Sequence, residues 1–366
     1  MSKLDSSKVM TLGLFEKRIE GDDCLLELAH RRFQQAGMGT EFHADTPENL
    51  ERMLKFRSSE NSPVIVHLPR DLHLTEEQSQ KRILDFATHF ARRVWGMVIH
   101  DHAALAARAQ DYIAAAWRLD DQLERIPACP MLFVEYAVGL EPGDFTRFFS
   151  AIPDLDRISA CIDIGHVGIR MTRANYARNH GGDDICALKS QSNRLPEVMA
   201  DVEAAVVSGA AAVLDLVETI AALKKPVHFH LHDCHPLSTF SPFGVSDHLS
   251  FFTEIPLNFE YRGSRAVAPM FGPDGLSKLV TRAIELMGPR RSSFTLEIHP
   301  VSERLPLGED APLFGHWTDK TNAEKMNHWL SVLSRNHLLL RQAIQAASTS
   351  ASGHAVAELD PGPCVI

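Results

Sequence analysis

The sequence lacks several features that would assign it to a particular class of protein. Its six cysteines are scattered, with no Cys-x-x-Cys pair and no dense disulfide spacing. The formal net charge is −10, which disfavours a broad basic surface for nucleic acid or anionic membranes. We therefore expect a chain of a reducing compartment, the cytoplasm, with nucleic acid unlikely as a partner and no membrane partner.

Long hydrophobic runs are also scarce. Residues Met1 to Val9 contain no apolar segment typical of a signal peptide, so none is expected. The most apolar long stretch, Ala204 to Leu223, is interrupted by Asp215 and Glu218 and predicts a buried helix. The 366 residues are 45% hydrophobic and 23% charged, a composition typical of soluble globular proteins and a length sufficient for one α/β barrel.

Short apolar segments alternate with longer helical patterns along the whole chain. This rhythm predicts parallel strands joined by crossover helices. The predicted strands are Met10–Phe15, Gly39–His43, Val64–Leu68, Gly96–His100, Met131–Tyr136, Ser159–Ile164, Val227–His232 and Ser293–Ile298. Eight such units predict an α/β fold, a single (β/α)8 TIM barrel, with the active site at the carboxyl ends of the strands.

The connections between the strands indicate how the chain is organised. The predicted helices include Asp23–Gln35, Thr75–Val94, Ala103–Arg125, Pro142–Ala151, Leu276–Met287 and Ala323–Ala346. The connections after the sixth and seventh strands, 168–225 and 236–273, are longer than a barrel requires and predict lids or substrate walls. We expect the barrel to occupy residues 1–346 and a flexible tail, rich in Ala, Ser, Gly and Pro, to occupy 347–366.

Side chains that can bind a metal stand at the ends of several predicted strands. In the seventh strand, His228, His230 and His232 alternate with apolar residues and so share one face. The other candidates are His67, His100, Glu135, Asp163, His166 and Glu297. Mixed nitrogen and oxygen ligands suit Zn²⁺, Mn²⁺, Fe²⁺ or Co²⁺. The pattern predicts one or two divalent transition metal ions and no organic cofactor; the alternative is a strand of hydrogen-bonded core histidines.

Four motifs occur in an order that is similar to a known superfamily. They are Phe133-Val134-Glu135, Cys161-Ile162-Asp163-Ile164-Gly165-His166, His228-Phe229-His230-Leu231-His232-Asp233 and Leu296-Glu297. Together they resemble the xylose isomerase-like TIM-barrel superfamily, which contains sugar isomerases, ketose 3-epimerases and the endonuclease IV type of apurinic-site nuclease. The resemblance covers nearly the whole chain apart from the tail.

The epimerase-like members imply one set of roles for these residues. By motif, the metal ligands would be Glu135, Asp163, His230 and Glu297, with His232 as the alternative to His230 if the strand register shifts by two. His166 would contact the substrate, and Glu135 and Glu297 would exchange a proton next to a metal-polarised carbonyl. The resemblance thus implies an isomerase or epimerase of a sugar, sugar phosphate or polyol, acting through an enediolate.

Other members imply a second set of roles. The endonuclease IV pattern, which holds three metals, is matched by His67, His100 and Asp163 with His166, so these histidines become further candidate ligands. Its Asp-x-His after the seventh strand is replaced here by Ser246-Asp247-His248. The alternatives to an isomerase are therefore a metal-dependent phosphodiesterase, a multi-iron oxidase or a barrel that only binds sugar.

The remaining expectations concern substrate and assembly. Glu41 shares the inward parity of the second strand, so we expect it to contact the substrate, or else to form a buried structural pair with His43. The substrate is expected to be a small molecule, a carbohydrate, and a homo-oligomer is compatible with the sequence.

Overall fold

The computed structural model describes residues 9–14, 22–57, 62–137, 139–190, 194–237, 257–259, 265–267, 269–297 and 323–357. In chain order its strands are β1 (Met10–Leu14), β2 (Gly39–His43), β3 (Val64–His67), β4 (Gly96–His100), β5 (Met131–Glu135), β6 (Ile158–Asp163), β7 (Val227–Leu231), β8 (Leu257–Phe259), β9 (Arg265–Val267) and β10 (Ser292–Leu296). Eight of them form a closed parallel barrel in the order β1-β10-β7-β6-β5-β4-β3-β2, while β8 and β9 pair separately and antiparallel.

The barrel strands are joined by helices, as the alternating sequence pattern predicts. The helices are α1 (Asp23–Ala36), α2 (Pro47–Leu54), α3 (Glu77–His89), α4 (Ala109–Glu124), α5 (Pro142–Ser150), α6 (Ile164–Asn179), α7 (Leu195–Ala221), α8 (Gly272–Met287) and α9 (Ala323–Ala357), with short 3₁₀ turns at Ala103–Leu105 and Ile185–Ser190. The predicted (β/α)8 TIM barrel is therefore confirmed. The predicted bounds of the barrel strands differ from the observed ones by at most two residues.

The helices differ more from the prediction than the strands do. Helix α2 is short and was not predicted, although Thr46 caps its first turn and Pro47 begins it. The long connection over 168–225, predicted to be a lid or substrate wall, contains most of α6 and all of α7. Asp163 caps the first turn of α6 by accepting the His166 N–H at 2.8 Å. Helix α9 continues to Ala357, past the predicted end of the barrel at residue 346. The flexible tail over 347–366 stays a prediction, with 358–366 outside the described residues.

The outward faces of the strands and the inward faces of the helices form the main hydrophobic core. Outward-facing Phe42, Val66, Val134, Phe229 and Phe294 are all almost fully buried in it. A second, smaller cluster fills the inside of the barrel, formed by Leu12, Ile65, Val98, Phe133 and Cys161. The two clusters follow from the alternation of side chains along each strand.

Helix α7 is the most apolar helix of the part of the chain that the structure describes. Its segment Glu197–Ala221 meets the length and composition expected of a membrane span, and 44% of its most apolar window is buried. Core helices of soluble proteins meet the same criterion, and α7 packs against α5, α6 and α8. The predicted buried helix over Ala204–Leu223 therefore lies within α7 as far as Ala221, while the cytoplasmic location stays a prediction.

Candidate metal centre

The predicted ligands converge at the carboxyl ends of the barrel strands. Strand pairing places His100 beside Glu135 and Asp163 beside His230, so donors from neighbouring strands lie at the same height. The donor side chains are His67, His100, Glu135, Asp163, His166, His230, His232 and Glu297, and each is buried except His100, which is 16% exposed. They divide into three overlapping groups, and each offers donor atoms that lie within 4.8 Å of one another.

The first group consists of Glu135, Asp163, His230 and Glu297. His230 Nδ1 lies 2.9 Å from Glu297 Oε2 and 3.4 Å from Glu135 Oε1. Neither approach gives His230 Nδ1 a hydrogen bond. These are the four residues that the resemblance to epimerases assigns to one metal. His230 is in this group and His232 is not, so the strand register follows the first alternative.

The second group consists of His67, His100 and Glu135. His67 Nε2 lies 2.8 Å and His100 Nε2 3.5 Å from the same oxygen, Glu135 Oε2. The two imidazoles come from neighbouring strands and meet edge to face, with ring centroids 5.0 Å apart. Both histidines are therefore close enough to the first group to belong to one extended centre.

The third group consists of Asp163, His166 and His232. Asp163 Oδ1 lies 2.8 Å from His232 Nε2, and Asp163 Oδ2 lies 3.5 Å from His166 Nδ1. Gly165 makes room for this arrangement, because a Cβ there would lie 1.8 Å from His232 Cε1. Any larger residue at position 165 would displace either the His232 ring or the start of α6.

The electrostatics of these groups reflect burial opposed by close charges. Burial alone would raise the pKa of the Glu135 carboxyl. The nearby His230 and His100 imidazoles lower this pKa by a larger amount, so it lies well below the usual range. Burial lowers the pKa of His230, but Cys161 and the surrounding carboxylates raise it well above its ordinary value. Burial also dominates at His100, whose pKa falls to about 3, which leaves this imidazole neutral and able to bind a metal at neutral pH.

The donor set fits a divalent transition metal. Buried carboxylates and imidazoles from distant parts of the chain face one another, which is costly unless a cation or protons compensate the charge. His230 Nδ1 lies 2.9 Å from Glu297 Oε2 and 3.4 Å from Glu135 Oε1, so one ion could take this nitrogen and the carboxylate oxygens as ligands. Nitrogen and oxygen donors in this combination suit zinc, manganese, iron or cobalt.

Glu41 occupies a different place from the predicted substrate contact. It is completely buried beneath the first donor group, and its carboxylate accepts hydrogen bonds from His228 Nε2 and His230 Nε2, each at 3.0 Å. Burial alone would raise the pKa of Glu41. These two imidazoles lower it by a larger amount, to below its usual range, so the carboxyl is ionised. Its partner is therefore not His43, whose ring instead lies 4.7 Å from that of His67.

Two polar side chains beneath the centre, Ser293 and Thr295, were not predicted from the sequence. His228 Nδ1 lies 2.8 Å from Ser293 Oγ, and Thr295 Oγ1 donates to Glu41 Oε2 at 2.5 Å. All of these side chains are fully buried. The inward parity of Ser293, Thr295 and Glu297 in one strand was the signal that could have identified them. Ser246, Asp247 and His248, which decide the match to the endonuclease IV pattern, lie outside the described residues.

No family model and no curated protein matches the chain. Among solved structures, the chain is similar to "The crystal structure of AsfvAP:AG", with a TM-score of 0.51, 13% identity, and coverage of 92% of this chain and 99% of that chain. It also matches an (S)-mandelate dehydrogenase, with a TM-score of 0.38, 12% identity, and coverage of 96% of this chain and 81% of the other.

A third similar structure is the flavin-binding domain of baker's yeast flavocytochrome b2, with a TM-score of 0.34, 8% identity, and coverage of 100% and 81%. At these identities the first comparison shows the barrel fold alone, and the scores of the other two are too low to carry an argument. Membership of the xylose isomerase-like superfamily and the absence of an organic cofactor stay predictions.

Proposed function

We propose that the protein is a metal-dependent hydrolase of phosphate esters with a multinuclear metal centre. The observation that carries the proposal is the position of Glu135 between two donor groups. Its Oε2 faces His67 and His100, at 2.8 and 3.5 Å, while its Oε1 faces His230 Nδ1 at 3.4 Å. A carboxylate whose two oxygens face different sets of imidazoles could contribute a ligand atom to each set.

Asp163 supports the same conclusion on the other side of the first group. It belongs both to the group of Glu135, His230 and Glu297 and to the group with His166 and His232. Two shared carboxylates thus connect three donor groups in one buried mouth. A single-metal isomerase needs only the first group, so His67, His100, His166 and His232 would have no role in metal binding.

The residues of the chain have distinct roles in this mechanism. When bound, neighbouring divalent ions supply Lewis acidity toward a phosphoryl group and activation of water at neutral pH. Glu135 and Asp163 hold the centre together. His100 is the most exposed of the donors and is therefore the one most accessible to a substrate. Burial of the other donors excludes bulk water and strengthens every charge interaction.

The proposed hydrolase is tested by reconstitution. Chelator-treated protein is loaded in turn with Zn²⁺, Mn²⁺, Fe²⁺ and Co²⁺, and assayed on a phosphomonoester, a phosphodiester and an abasic oligonucleotide. Metal-dependent release of phosphate or alcohol from one of them, lost in Glu135→Gln and kept in the exposed control Glu48→Gln, is the expected result. No hydrolysis with any metal, in protein that binds the metals, would contradict the proposal.

An isomerase or epimerase of a sugar, sugar phosphate or polyol is the second candidate. It is supported by the first donor group, in which Glu135 and Glu297 flank the same position together with Asp163 and His230. Two carboxylates so placed could exchange a proton next to a carbonyl. When the reconstituted protein is incubated in D₂O with a panel of ketoses, the sugar would then gain deuterium at the carbon next to its carbonyl. Absence of incorporation, alongside phosphate ester hydrolysis, decides against this candidate.

A further inference from the structure

A second polar layer lies inside the barrel, directly beneath the candidate metal centre. It consists of Glu41 on β2, His228 on β7, and Ser293 and Thr295 on β10, all fully buried. Burying polar groups costs folding free energy unless they hydrogen-bond one another. A connected polar layer inside a barrel therefore calls for an explanation beyond packing. None of the four belongs to the ligand sets of the proposed function.

The contacts of this layer all lead to one imidazole. Glu41 Oε1 lies 3.0 Å from His230 Nε2, and Glu41 Oε2 lies 3.0 Å from His228 Nε2. Thr295 Oγ1 donates to the same Oε2 at 2.5 Å, and Ser293 Oγ lies 2.8 Å from His228 Nδ1. Both carboxylate oxygens of Glu41 are therefore engaged, and the layer fixes where they point.

We propose that Glu41 is a positioning residue, which holds His230 in the orientation and tautomer that direct its Nδ1 toward the metal centre. In the neutral imidazole that binds a metal, one nitrogen carries the proton and the other is the ligand; the Glu41 carboxylate at Nε2 favours the proton there and leaves Nδ1 as the ligand atom. That nitrogen faces Glu297 and Glu135. Carboxylate partners of this kind orient metal-binding histidines and increase their basicity.

An alternative is that this layer itself binds a further metal ion. Glu41, His67 and His230, and also Cys161, His228 and His230, lie close enough together to hold an ion. An ion there would displace the hydrogen bonds of Glu41 and of both nitrogens of His228. The hydrogen-bond network accounts for all these contacts without displacing any, so the layer is a support for the centre above it.

The test is the affinity of the full chain for Zn²⁺ and the visible spectrum of its Co²⁺ form. In Glu41→Gln, we expect Zn²⁺ affinity, measured by chelator competition, to fall by about 10–100-fold. The Co²⁺ absorption bands are expected to shift, because the ligand environment of His230 changes. Thr295→Val removes one donor to Glu41 and is expected to give a smaller change in the same direction.

Asp120→Asn is the matched control for the loss of a buried carboxylate. Asp120 is 3% exposed and accepts the backbone N–H groups of Asp156 and Arg157, far from the metal ligands. It should lower the melting temperature without changing Zn²⁺ affinity. Equal affinity and spectra in wild type and Glu41→Gln would overturn the inference, and so would loss of one whole ion per chain, which would make Glu41 a ligand.

The inference rests on the metal centre of the proposed function and not on its reaction. If Glu41→Gln weakens metal binding while no phosphate ester is cleaved, the hydrolase proposal fails alone. If hydrolysis is found but the variant binds Zn²⁺ as the wild type does, the role of Glu41 fails alone. A wild-type chain that binds no metal contradicts both.

Discussion

Along β3, β4, β5 and β6 the barrel interior has an apolar half and a polar half, which differ in chemistry. Toward the amino ends of the strands the interior is filled by Leu12, Ile65, Val98, Phe133 and Cys161. One inward position further along β3, β4, β5 and β6 stand His67, His100, Glu135 and Asp163. A step of two residues thus separates apolar packing from the candidate metal ligands.

The two halves are expected to contribute differently: the apolar half to folding stability and the polar half to function. The apolar half stabilises the fold, because removing hydrocarbon from water contributes about 25 cal/mol per Å² of apolar surface buried. The polar half buries carboxylates and imidazoles, which costs free energy unless an ion compensates them. We therefore expect substitutions in one half to alter stability, and substitutions in the other to alter metal binding and activity.

The largest effect is expected for Glu135→Gln. Loss of the bridging carboxylate should reduce hydrolysis by on the order of 10³-fold, about 4 kcal/mol of transition-state stabilisation, because it weakens two donor groups together. Rates at saturating metal, with elemental analysis of the bound ions, measure this effect. A variant that keeps both its ions and its rate would show that Glu135 is a buried structural acid.

In the apolar half, Leu12→Ala is expected to lower the free energy of unfolding by about 2–5 kcal/mol, because a fully buried side chain is replaced by a cavity. Denaturant titration of the metal-free chain measures the loss. Zn²⁺ affinity should stay within about twofold of wild type, because Leu12 belongs to none of the candidate donor groups. A large loss of affinity would mean that the two halves are coupled.

Lowering the pH should reduce the free energy of unfolding through a buried histidine outside the metal centre. His30 on α1 lies beside a cavity of about 10 Å³ at the amino end of the barrel, and burial lowers its pKa to about 4. Since the unfolded chain then binds the proton more readily, stability is complete above pH 6.5 and falls as the pH drops toward 4.

The loss from His30 can reach roughly 3 kcal/mol, at 1.36 kcal/mol per pKa unit. Urea titrations of the metal-free chain between pH 7 and 4 measure it. His30→Gln should flatten this part of the pH profile. If the variant shows the full acid sensitivity of wild type, the effect comes from the polar half instead.

The smallest effect on stability is expected for Gly165→Ala, about 1–3 kcal/mol from the clash with His232. Its main consequence should be selective loss of metal from the group of Asp163, His166 and His232. Elemental analysis would show fewer ions per chain than in wild type. Gly143→Ala is the control, because nothing lies within 4 Å of a Cβ at that position.

The comparison also explains what the sequence could predict. Alternation in β7 and the polar residues at the strand ends identify the candidate ligands, because inward parity is a local property of a strand. The role of Glu41 could not be predicted, because its contact with His230 spans β1 and β10 and depends on how the barrel closes. The start of α6 at Ile164 was not predicted, because its capping residue, Asp163, was assigned only to metal binding.

The number of metal ions per chain tests the central claim most directly. Chelator-stripped protein is reloaded with Zn²⁺, freed of loosely bound ions and measured by elemental analysis, beside Glu135→Gln treated in the same way. We expect two or more ions per chain in the wild type and a lower number in the variant. One ion or none in the wild type would contradict a centre joined by Glu135.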